Sequence, residues 1–161
     1  MTGGPRSYDN FADGDLAYLA DVASRSLLRF VARHPKHRTL PDRLMCMLLC
    51  QGGALHYIDG RNGVKDLDVW SFFRDDGHSP QFPYRRREEV PYERANFQNS
   101  LRKIDILGRT LATSPGSDPI VLVQNYLASG KTETAKCLAE KAAVVLLPVQ
   151  RQGEVIWPVR P

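Results

Sequence analysis

The chain has 161 residues, 42% apolar and 25% charged, with a net charge of +4 and an isoelectric point near 9.1. These are ordinary values for one soluble globular domain with room for a real core. They exclude a membrane span, because no apolar run approaches the roughly 20 residues one needs, and the start lacks the charged-then-apolar pattern of a signal peptide.

Met1–Ala12 is rich in Gly, Pro, Ser and Asn and reads as a loose lead-in to a single domain covering 1–161. Asp13 or Asp15 can cap a helix that runs to about Arg33, where His34-Pro35 stops it. Leu16, Leu19, Ala20, Ala23, Leu27, Phe30 and Val31 form one stripe at helical spacing, which is core material. The connector Pro35–Pro41, with Lys36, His37 and Arg38, reads as a solvated loop. Arg43–Cys50 is continuously apolar. Periodicity allows strand or helix; its short length and the abrupt Gln51-Gly52-Gly53 favour a central strand running into a turn. A short helix can begin near residue 53, and glycines there let a backbone approach a phosphate. His56, placed in this loop, can contact a phosphate or move a proton near neutral pH; the plainer reading is a packed or solvent-facing histidine. Asp59–Gly63 is a turn.

Val64–Phe73 has the Val, Trp and Phe content of a strand. Alternation puts Asp66, Asp68, Trp70 and Phe72 on one face and Leu67, Val69 and Phe73 on the other. The two carboxylates then stand roughly 7 Å apart along the strand. Ile104-Asp105-Ile106 repeats the alternation. If this strand lies beside the first with its isoleucines in the core, three acids converge. Carboxylates packed that closely repel unless a cation is present, and Mg²⁺ takes one or two carboxylates plus substrate phosphates. Between the two strands the chain is long and polar. Arg85, Arg86, Arg87, Arg94, Arg102, Lys103 and Arg109 outnumber Glu88, Glu89, Glu93 and Asp105, with Tyr84, Tyr92 and Phe97 interleaved. Such a segment suits phosphates and a base, and it equally suits a surface loop of Arg–Glu pairs.

Ser114–Ser117 is a turn, and Ser117 or Asp118 caps a helix with Pro119 in its first turn, ended by Gly130. Thr132 opens a second helix, and the pair is expected to continue to about Leu147 as a packing layer. Lys131, Lys136 and Lys141 are exposed lysines able to reach a phosphate. Gln152–Trp157 reads as a short terminal strand. Cys46, Cys50 and Cys137 are odd in number and lie in apolar contexts, as buried free thiols of a reducing cytoplasm do. A zinc site is not expected, since no CxxC and no His-rich pair accompanies these cysteines. The expected fold class is α+β: a small mixed central sheet carrying the acidic strands, flanked by an N-terminal helix and a C-terminal helix pair.

The order Gly52-Gly53, then Asp66-Leu67-Asp68 on a strand, then the lone Asp105 on another strand resembles the nucleotidyltransferase superfamily, with its polymerase-beta-like fold. LCQGGALHY, GVKDLDVWSFF and KIDILGR resemble a bacterial group of minimal members. The resemblance covers about Leu44 to Arg109. Gly-Gly stands where Gly-Ser is usual, and Lys65 where a small polar residue often precedes the acids. The resemblance implies that Gly52 and Gly53 touch nucleotide phosphates, that Asp66 and Asp68 bind Mg²⁺ (or Mn²⁺), and that Asp105 is the third acid and helps activate an attacking hydroxyl. His56, Lys65 and Arg109 are further nucleotide-binding candidates. The implied activity is transfer of a nucleoside monophosphate from an NTP to a small molecule, a protein or an RNA end, with Arg85, Arg86 and Arg87 available to nucleic acid. The alternatives are a non-catalytic nucleotide- or nucleic-acid-binding relative and, third, a metal-dependent nuclease.

Overall fold

A computed structural model describes residues 8–83, 88–91, 103–113 and 116–159. Helix α1 spans Asp15–Arg33 and ends where His34 leaves helical geometry before Pro35. Its N-cap is Gly14 in the left-handed region rather than an aspartate; Asp15 instead turns back to accept a hydrogen bond from the Ala12 backbone N–H at 2.6 Å. The connector is more ordered than its composition suggested. It holds a short 3₁₀ turn, Pro35–His37, and a one-turn helix α2, Leu40–Arg43, and His37 is buried rather than solvated. Burial, reinforced by Lys36, His34 and Arg43, holds the His37 pKa below its ordinary value.

Strand β1 is Leu44–Cys50, as the apolar run predicts, and helix α3, Gln51–Asp59, follows with no intervening turn. Gln51 makes this possible by adopting φ 60°, a left-handed conformation costing about 1–3 kcal/mol in a non-glycine residue. Strand β2 is Leu67–Arg74, so residues 64–66 lie outside it and Asp66 sits in the bend leading in. The short strand β3, Glu88–Val90, lies inside the long polar segment, and β4 is Ile104–Leu111. Helix α4, Pro119–Ser129, is capped by Asp118, whose side chain accepts from the Ile120 N–H. Helix α5, Glu133–Ala139, is capped in the same way by Thr132.

Here the expected helix pair is corrected. It stops at Ala139, and Ala143–Leu147 is a strand, β5, followed by a 3₁₀ turn and strand β6, Val155–Trp157. The run AVVLL is buried on both faces, so it shows no alternation and merges on the page with the alanines before it.

Among the described residues the six strands form one mixed sheet in the order β3-β4-β2-β1-β5-β6, and the fold is α+β as expected. The sheet has two apolar faces. Met47, Leu49, Leu67, Val69, Phe73, Ile104, Val144 and Leu146 pack against the α1 stripe of Leu19, Ala23, Leu27 and Phe30. Leu48, Cys50, Phe72, Ala143 and Val145 pack against Ile120, Val123 and Leu127 of α4 and Leu138 of α5. Each fully buried Leu or Phe contributes about 1.5–3 kcal/mol, so both layers, not local propensity, hold the strands in register. Cys46 and Cys50 are buried free thiols, whereas Cys137 is exposed. Among the described residues no helix is long and apolar enough to cross a membrane.

Candidate functional site

The sheet register decides what the acids can do. Strand β2 pairs with β4 in parallel, and Asp68 faces Asp105 directly across the ladder. Strand β1 pairs with β2 on its other side with Cys50 opposite Asp68, and β3 pairs with β4 with Glu89 opposite Asp105. One row therefore reads Cys50, Asp68, Asp105, Glu89 across four strands. Register partners on adjacent strands project from the same face, and the strands lie about 4.8 Å apart. Leu67, Val69 and Ile104 occupy the α1 layer and Cys50 and Phe72 the α4–α5 layer, so Asp68 and Asp105 leave the sheet side by side on the α4–α5 face.

Asp105 is nearly enclosed, with its side chain 4% exposed, and Asp68 is half-buried. Lys103 Nζ stands 3.9 Å from Asp105 Oδ1 and 2.8 Å from Glu89 Oε1. The hydrogen bond to Glu89, then the charge of Asp105 and, more weakly, that of Asp66 hold the Lys103 ammonium above its ordinary pKa. Asp66 thus shares the field of this ammonium although it lies outside the strand. Burial, followed by the charge of Asp68, pushes the Cys50 thiol well above its ordinary pKa, so it stays protonated and serves as packing. In the sequence Lys103 stands out only as one of several basic residues. Its position two residues before Asp105 was the available signal, since that spacing puts both side chains on one face.

Helix α3 begins immediately after Cys50, the register partner of Asp68 on β1. The first turn of a helix presents unpaired N–H groups and the positive end of the dipole, a ready anion site. The two glycines in this turn do different things. At Gly52 no heavy atom beyond its own turn lies within 4 Å of the place a Cβ would take, so the backbone there is open to a ligand. At Gly53 a Cβ would stand 2.8 Å from Leu67 Cδ2 and 3.1 Å from Leu49 Cδ1; this glycine lets α3 seat on the sheet. The resemblance implies phosphate contact at both glycines; at Gly53 the close approach of Leu67 and Leu49 accounts for the glycine by packing.

The other candidates disperse. His56 is buried in α3, with Nδ1 2.7 Å from the Asn62 carbonyl and Nε2 against the Asp9 carbonyl, so it ties the N-terminal segment to the turn after the helix rather than facing a phosphate. Lys65 is half-buried in the bend beside Asp66. Arg109 shares the face of Asp105 but lies four residues along β4, about 13 Å away. Its Nη1 donates to Thr134 Oγ1 at 3.4 Å and its guanidinium lies 5.5 Å from the centre of the Tyr126 ring. Arg85, Arg86, Arg87, Tyr84, Tyr92, Arg94, Phe97 and Arg102 lie outside the described residues.

Asp68 and Asp105 are two carboxylates on one face, oxygen donors of the kind a hard divalent cation takes. Among the described residues no three His, Cys, Asp or Glu side chains come together tightly enough to hold a metal by themselves. Asp68 and Asp105 could supply two oxygen ligands to a cation whose remaining ligands come from a bound molecule. Compared with known proteins, the chain matches no protein-family model, no curated protein and no solved structure.

Proposed function

We propose that the protein is a Mg²⁺-dependent nucleotidyltransferase that moves a nucleoside monophosphate from an NTP to an acceptor hydroxyl. The observation that carries the reading is the pairing of Asp68 with Asp105 on one face, in register with Cys50, the residue that caps α3. The order of glycines, DLD and lone Asp that resembles the nucleotidyltransferase superfamily supports it. In this reading the α3 N-terminal N–H groups bind the triphosphate, and Gly52 lets the phosphates approach the backbone closely. Asp68 and Asp105 would hold Mg²⁺, with Asp66 available beside them. When bound, the cation neutralises charge on the phosphates and polarises them for attack. Asp105, enclosed and next to Asp68, accepts the proton of the attacking hydroxyl on its carboxylate. A bond forms from the acceptor oxygen to the α-phosphorus, the bond to the pyrophosphate oxygen breaks, and pyrophosphate leaves with that electron pair.

The test is incubation of the protein with Mg²⁺, an α-³²P-labelled NTP and a cell extract. Transfer of label to an acceptor is expected, and it should vanish in Asp68→Asn at unchanged melting temperature. A second reading, an NTP-binding module without turnover, is favoured by the ammonium of Lys103 already standing beside Asp105. Saturable NTP binding with no labelled product selects it. Cleavage of plasmid or RNA lost on Asp66→Ala would instead select a nuclease.

A further inference from the structure

Further along the face that carries Asp68 and Asp105 there is a cavity of about 390 Å³, between the end of β4, helix α4 and the turn into α5. That volume is in the range of small-molecule sites, about 300–1,000 Å³. Arg109, Asn125, Tyr126, Ser129, Lys131 and Thr132 contribute to its wall, and among the described residues no acidic one does. The wall is also braced. Arg109 is anchored on the sheet, over the Tyr126 ring and against Thr134 Oγ1. The Tyr126 hydroxyl lies 2.7 Å from Thr132 Oγ1, and the Ser129 hydroxyl donates to the Tyr126 carbonyl at 2.7 Å. A guanidinium held in this way is a preorganised planar fork suited to two oxygens of one anion, and Lys131 adds a mobile point charge.

We propose that this cavity binds the phosphomonoester group of a small molecule. A phosphomonoester carries about −1.5 to −2 charges at neutral pH and three acceptor oxygens. Its oxygens match a planar guanidinium and an ammonium flanked by hydroxyl and amide donors. Arg109 lies about 13 Å along β4 from Asp105, so a sugar-sized body held here by its phosphate extends toward the acid pair. In that capacity, which rests on the transferase reading, the cavity anchors the acceptor; phosphate binding itself does not depend on that reading.

The experiment is isothermal titration of the full chain with ribose 5-phosphate, with ribose as the uncharged control. Ribose 5-phosphate is expected to bind and ribose not. Lys131→Gln, an exposed position, should lower the affinity about tenfold, Arg109→Gln by more, and Asp68→Asn should leave it unchanged. No binding of ribose 5-phosphate, or equal binding by the wild type and Lys131→Gln, overturns the proposal. So does binding lost in Asp68→Asn alone, because the phosphate then sits at the acid pair. Phosphate binding intact with no nucleotidyl transfer keeps the cavity site and ends the transferase reading.

Discussion

Alanine substitutions at the two adjacent glycines should separate ligand binding from packing. Gly52 is in the first turn of α3 with open space where a Cβ would go. Alanine there gains helix propensity, up to about 1 kcal/mol. In a chain of this size 1 kcal/mol corresponds to about 2–4 °C in melting temperature. Gly53 gains the same propensity, but its new Cβ would stand 2.8 Å from Leu67 Cδ2 and 3.1 Å from Leu49 Cδ1, both on fully buried leucines. Overpacking of that kind costs about 1–3 kcal/mol, so the net change is a loss of about 0–2 kcal/mol. Calorimetry would therefore show Gly52→Ala melting at or slightly above the wild type and Gly53→Ala at or below it. Titration with a non-hydrolysable ATP analogue and Mg²⁺ should show the reverse ranking, with Gly52→Ala weakened about tenfold or more. Wild-type nucleotide affinity in Gly52→Ala would refute the reasoning, because the open backbone would then face no phosphate.

Further expectations concern charge. Glu88 accepts hydrogen bonds from Ser26 Oγ at 2.8 Å and Arg29 Nη2 at 2.6 Å, which tie β3 to α1. Burial raises its pKa, but these bonds outweigh that and leave it below its ordinary 4.5. A carboxylate depressed in the folded state stabilises above its unfolded pKa and loses that contribution as pH falls through the folded value. The stability difference between the wild type and Glu88→Gln, measured by urea unfolding, should be present at pH 6 and shrink below about pH 4.5; a gap that is constant down to pH 3 contradicts the assignment. Removing the ammonium beside Asp105 with Lys103→Gln should raise Mn²⁺ affinity, since a like charge at 3.9 Å opposes the incoming cation. Unchanged or weaker Mn²⁺ binding would place the cation elsewhere.

Much of the arrangement was readable where one face of a strand differs from the other. Alternation in Leu67–Phe73 and around Asp105 put the acids opposite their apolar neighbours, and the register bears this out for Asp68 and Asp105. Asp66 was less legible, because β2 starts only at Leu67 and alternation does not extend into a bend. The AVVLL strand was hidden by burial on both faces, which removes the pattern that distinguishes strand from helix. His56 is packed, the plainer of its two readings, but on a helix and with partners the sequence does not disclose. Its partners are backbone carbonyls of residues 47 positions before it and 6 after it, contacts that no local pattern encodes. The split roles of Gly52 and Gly53 likewise depend on which one faces Leu67, a matter of helix rotation against the sheet.

Mn²⁺ binding followed by electron paramagnetic resonance, in the presence of a non-hydrolysable ATP analogue, tests the acid pair most directly. The account predicts that the wild type takes up Mn²⁺ with the nucleotide and that Asp68→Asn and Asp105→Asn each weaken this uptake at least about tenfold while still folding. Mn²⁺ uptake unchanged in both folded variants would show that the two carboxylates, though side by side, do not hold a metal.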